Sequence, residues 1–95
     1  MLSLYSLVKK TDMDNHKLIW AYLSTRRQNL DNDYYFYENG TILHHYDRTM
    51  TKWDIDEYVT PSNIPESEKE EIIRKCETEC SKAIVCQIKK LLDYE

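Results

Sequence analysis

Glycine is nearly absent. The chain has one in 95 residues, with two prolines. No glycine-rich loop exists to cradle a phosphate, which argues against an enzyme built on a nucleotide cofactor. Scarce glycine and proline also argue against a low-complexity or disordered chain. Positive charge is in deficit too: 13 Lys and Arg stand against 17 Asp and Glu, a formal net charge of −4. Non-specific nucleic-acid binders and proteins that sit on anionic membranes carry the opposite field. No run approaches the roughly 18 apolar residues of a membrane span. The start, MLSLYSLVKK, has no basic leader before its short apolar stretch, so no targeting segment is expected.

Three cysteines cannot all pair within one chain. Without a secretory signal, reduced thiols in the cytoplasm are the expectation. Cys76, Cys80 and Cys86 are spaced C-x3-C and C-x5-C, with no C-x2-C knuckle, so they and His44-His45 do not make a zinc framework. Neither a metal nor a cofactor is expected. Cys76 and Cys80 read as buried core thiols and Cys86 as a more exposed one.

What the chain does have is concentrated. Residues 34–47, YYFYENGTILHHYD, hold four of eight tyrosines, two of three histidines and the only glycine. Asn39-Gly40 between aromatic and β-branched runs signals a hairpin with a two-residue type I′ turn. That turn sets Tyr37 opposite Ile42, Phe36 opposite Leu43, Tyr35 opposite His44 and Tyr34 opposite His45. One face then carries Tyr34, Phe36, Leu43 and His45. The other carries Tyr35, Tyr37, Ile42, His44 and Tyr46. Phe36 with Leu43 is the purely apolar pair, so its face should turn inward. Tyr35, Tyr37, His44 and Tyr46 would face outward as a contact surface, with Asp54, Asp56 and Glu57 steering a basic partner towards it. An ordinary core, with both hairpin faces covered and hydroxyls reaching solvent, uses the same residues.

The rest of the chain is read around that hairpin. HKLIWAYLSTR is rich in residues that suit strands, and reads as one; a helix starting near Asp14 is the alternative. LYSLVKK would pair with it across TDMDN. TKWDIDEYV alternates Trp53 and Ile55 with Asp54 and Asp56, as a strand with one wet face does. After TPSNIP the order becomes helical. Ser67 and Glu70 have capping-box spacing, and Pro65 suits a first turn. Ile72, Ile73, Cys76 and Cys80 share a stripe. Ile84, Val85, Ile88 and Leu92 share another, rotated by roughly 100°. A break near Thr78 to Ser81, with Ser81 as a second cap, keeps Gln87 out of the core.

The fold expected is α+β in a single domain, 1–95: a small antiparallel β-meander of three to five strands, then one long bent or two short helices over about 66–92. The chemistry is thinner. Adjacent His44 and His45 point to opposite faces of a strand. His45 and Asp47, at i and i+2, share a face as a base and its orienter do. The profile favours a small acidic cytoplasmic protein that binds another protein without catalysis. A stoichiometric inhibitor, immunity protein or anti-defence factor of a phage or mobile element has this character. The alternatives are a small hydrolytic or nucleic-acid-acting enzyme centred on His45 and Asp47, and a structural homodimer.

Overall fold

The computed structural model describes residues 12–13, 16–25, 30–49, 51–52 and 54–94. Five antiparallel strands follow one another in space as they do in sequence: β1 (Asp12–Met13), β2 (His16–Tyr22), β3 (Asn32–Tyr37), β4 (Ile42–Tyr46) and β5 (Ile55–Val59). A 3₁₀ turn (Pro61–Asn63) leads to helices α1 (Glu66–Glu79) and α2 (Lys82–Leu91). The meander followed by two helices is the α+β arrangement expected. HKLIWAY is strand, as its β-branched and aromatic content implies. The expected partner LYSLVKK lies outside the described residues. Within TDMDN, Asp12 and Met13 are already paired, with Lys17 and His16.

The hairpin register differs from the expected one by one residue. Tyr34 faces His44, Tyr35 faces Leu43, and Phe36 faces Ile42. The loop has three residues, Glu38-Asn39-Gly40, not two. Gly40 N–H donates to Tyr37 O at 2.9 Å and Tyr37 N–H donates to Thr41 O at 3.0 Å. Gly40 has φ of +92°, whereas Asn39 is not among the described residues with positive φ, so a type I′ turn is ruled out. A turn closed by one left-handed glycine is the common three-residue solution. The alternation within each strand stands, but the sets combine differently across them. Tyr34, Phe36, Ile42, His44 and Tyr46 share one face. Tyr35, Tyr37, Leu43 and His45 share the other.

The first face meets the helices. Tyr22, Tyr34, Phe36 and Ile42 pack with Ile64, Ile72, Ile73, Cys76, Ile88 and Leu92. Trp20 stacks on Phe36, with centroids 6.1 Å apart, and its indole N–H donates to Glu79 at 3.1 Å. A bulge at Ile19 allows this. Leu18 pairs with Tyr37 but Trp20 pairs with Phe36, so the extra residue switches sides between them. Lys75 docks α1 on β2, giving a hydrogen bond to Leu23 O at 3.1 Å and lying over the Tyr22 ring. On the second face, Tyr35, Tyr37 and Leu43 form a separate buried cluster with Leu18 and Ala21. Tyr35 and Tyr37 therefore do not face outward. They are buried, Tyr37 completely.

The helix boundaries follow simple rules. Pro65, just outside α1, lacks the N–H a helix start cannot satisfy, and its carbonyl accepts from Glu68 and Lys69. The expected Ser67–Glu70 box thus lies inside the helix. A capping box closes the 3₁₀ turn instead, seven residues before Ser67, where Thr60 N–H donates to Asn63 Oδ1 at 3.2 Å. The helical break falls at Cys80-Ser81. Ser81 caps α2, its Oγ accepting from Ile84 N–H at 3.4 Å, and Gln87 is exposed. Cys76 is buried and Cys86 exposed; Cys80 is half-buried, less covered than expected.

Since both faces carry core, Phe36→Ala and Tyr37→Ala should each cost about 3–5 kcal/mol in urea unfolding, as large core truncations do. A Tyr37→Ala protein within about 1 kcal/mol of wild type would contradict the second cluster. The thiols test the helix packing. Burial, the neighbouring Cys80 thiol and the charges of Glu79 and Glu77 push the Cys76 thiol up to about 12. A thiol reagent at neutral pH should label Cys86 first and reach Cys76 only on unfolding.

Candidate functional site: a histidine ringed by aspartates, and an aromatic cleft behind it

The register puts His45 between two aspartates. It faces Asp33 on β3 and Asp56 on β5, so these three side chains cross the sheet in a row on one face. Two more aspartates come from the strand entrances. Asp31 precedes β3 and Asp54 precedes β5. His45 is only 2% exposed. Its Nδ1 lies 2.6 Å from Asp56, and its Nε2 lies 3.3 Å from Asp54 and 4.0 Å from Asp31. With carboxylates on both edges of the ring, this spot is suited to a metal ion beside it.

Asp47 holds the frame. Its Oδ2 accepts from Asp31 N–H at 2.9 Å and its Oδ1 from Asp54 N–H at 2.8 Å. It thereby ties the two strand entrances together behind His45. Burial pushes the Asp47 carboxyl up, but these two backbone bonds and the nearby His45 outweigh it, holding the carboxyl below the ordinary range. Asp54 adopts a left-handed backbone, φ +54°, which Asp tolerates better than most residues. Asp33 Oδ1 accepts from Ser24 N–H at 3.0 Å. Burial, then the charges of Asp33, Asp56 and Asp31, push the neighbouring Tyr35 hydroxyl up to about 12.

The expected contact residues are split between two places. Tyr35, Tyr37, Asp54 and Asp56 belong to the His45 face. His44 and Tyr46 belong to the helix face, where their rings stack with Tyr34. Tyr34 and His44 are 4.3 Å apart and His44 and Tyr46 4.4 Å. Glu57 lies with them, accepting from the Tyr46 hydroxyl at 3.0 Å. The two groups share only the outer strand, β5. The base–orienter pair is also different: Asp56, not Asp47, lies on Nδ1, while Asp47 binds backbone.

Asp31 and Asp33 escaped the sequence reading. With His45 they offer three ligand atoms within 4.8 Å of one another, a spacing that a divalent cation can bridge. Their signal was the i, i+2 spacing of Asp31 and Asp33, repeated in Asp54 and Asp56, which puts both members of a pair on one strand face. Cys76, packed on the helix side, is on the far face of the sheet from this histidine.

No protein-family model, curated protein or solved structure matches this chain. Among the described residues, no helix is long and apolar enough to cross a membrane.

Asp47→Asn should cost about 1–3 kcal/mol, since its amide group cannot accept both backbone bonds. The pH dependence has a defined sign. A carboxyl depressed in the folded state stabilises fully above the ordinary value of about 4, and that contribution drains as pH falls through the depressed value. The variant should show a shallower loss of melting temperature in acid. An acid limb parallel to the wild type would contradict the role assigned to Asp47.

Proposed function

We propose that this chain is a stoichiometric protein-binding module for a basic partner, not an enzyme. The supporting observation is the placement of acid along the sheet margin. Among the described residues only β5 lies beyond β4, and its residues point alternately to the two faces. Asp56 joins partly exposed Asp31 and Asp54 around His45 on one face. Glu57 joins Glu68 of α1 on the other. Tyr58, two residues after Asp56 and on the same face, is 61% exposed. A basic partner is steered to such a margin by charge and gains area from an aromatic anchor. The cytoplasm suits three free cysteines, and the small acidic profile suits an inhibitor, immunity or anti-defence factor of a mobile element.

A hydrolytic or nucleic-acid-acting reading has one specific observation in its favour, the Asp31–Asp33–His45 group. Calorimetric titration with Mn²⁺ and Zn²⁺ separates it. Saturable one-site binding that is lost in Asp33→Asn supports that reading.

The binding reading predicts that wild-type protein retains one basic protein at one-to-one ratio from a plausible host lysate. Retention should weaken with salt, and Asp56→Lys with Glu57→Lys should abolish it. Co-purifying nucleic acid, seen as raised absorbance at 260 nm, or a partner held equally by the charge-reversed variant, would count against it. A scattering mass of twice the chain with no other partner would favour a homodimer.

A further inference from the structure

On the helix side of the margin, β5, the 3₁₀ turn and the start of α1 enclose a cleft of about 440 Å³. That is within the size range of small-ligand sites. Tyr34 and His44 form one wall, stacked with only 5° between their planes. Two carboxylates from separate elements enter it, Glu57 from β5 and Glu68 from α1. Each is positioned by a tyrosine: the Tyr34 hydroxyl donates to Glu68 at 2.6 Å and the Tyr46 hydroxyl to Glu57 at 3.0 Å. Each carboxylate has two oxygens and accepts several bonds, so a tyrosine partner does not exhaust it. Tyr58 and Pro65 complete the lining beside Val59 and Asn63, and none of the described lining residues is a lysine or arginine. Arg48 donates to the Tyr46 hydroxyl at 3.2 Å, and its charge interacts with Glu57.

Two influences oppose a cation here: Arg48, whose charge acts on Glu57, and the start of α1, which carries about half a positive charge. Two carboxylates still exceed them, leaving the cleft roughly half a charge negative.

We propose that this cleft receives one arginine side chain of the protein partner. A planar guanidinium presents five N–H donors in a fixed fork, enough to reach carboxylates on different walls at once. The inference rests on the reading of a basic partner and names where that partner anchors. An ammonium would meet the charge but not the paired, planar geometry.

The probe is acetyl-arginine-amide, titrated into the full chain and followed by NMR at the His44 ring, the Val59 methyl groups and the Glu68 amide. Acetyl-citrulline-amide, nearly isosteric and neutral, is the control ligand. Arginine should give saturable shifts at these three places, with citrulline about tenfold weaker or more, the equivalent of about 1.4 kcal/mol. Glu57→Gln with Glu68→Gln should weaken arginine by at least about tenfold, because hydrogen bonds to charged groups are lost while both tyrosines keep an acceptor. Glu71→Gln, an exposed helix carboxylate elsewhere, should not weaken it. Circular dichroism shows whether each variant is folded. Equal binding of arginine and citrulline, shifts confined to the His45 face, or a folded double variant that binds like wild type would overturn the proposal. The two readings fail separately. Arginine binding here without any basic partner protein sinks only the partner. A basic partner indifferent to Glu57 and Glu68 sinks only the cleft.

Discussion

The register of β3 against β4 is the constraint on which the rest of the molecule depends. It is fixed at the hairpin loop, where Gly40 takes a left-handed conformation that a side chain would strain. A β-carbon there would also come 3.9 Å from Leu91 of α2, so the loop is packed against the last turn of the helical layer. A slip of one residue would put His44, not His45, opposite the residues of the second face. The row Asp33–His45–Asp56 would not form. The stack of Tyr34 on His44, which walls the cleft, would not form either.

Given the register, the two faces acquire different chemistry from similar residues. The helix face is closed by long-range packing, and its tyrosines turn their hydroxyls towards acid at its margin: Tyr34 to Glu68 and Tyr46 to Glu57. The second face buries Tyr35 and Tyr37 but places carboxylates around an imidazole. In both places an aromatic interior ends in carboxylates at its rim. Like charges this close are unfavourable unless something compensates, and the backbone amides of Asp31 and Asp54 do part of that on Asp47. A cationic ligand or partner would do more. The net charge of −4 and the acidic margin are the two observations on which the proposed basic partner rests.

How much of this was legible depended on the range of each interaction. Strand alternation and the helical stripes are local, so β3 to β5, the break at Cys80-Ser81 and the Ser81 cap could be read from spacing, whereas β2 rested on its β-branched and aromatic content against a helical alternative. Asn-Gly was ambiguous: it fits a two-residue turn, and it fits a three-residue loop that uses only Gly40 as the left-handed residue. Asn39 does not need positive φ when Glu38 joins the loop, and nothing local declares that Glu38 does. The error was one residue, but it recombined the faces and hid the neighbours of His45. Asp31 and Asp33 were visible as a spaced pair, yet their meeting with His45 follows only from the correct register. Glu68 contacts Tyr34 across 34 residues, a separation with no local signature.

The register can be measured directly by cross-strand NOEs between α-protons, which are closest in the pairs that do not exchange hydrogen bonds. The structure predicts α-proton contacts of Phe36 with Ile42 and of Tyr34 with His44. Contacts of Tyr37 with Ile42 and of Tyr35 with His44 would instead show the two-residue turn, and would dissolve both the aspartate ring around His45 and the aromatic wall of the cleft.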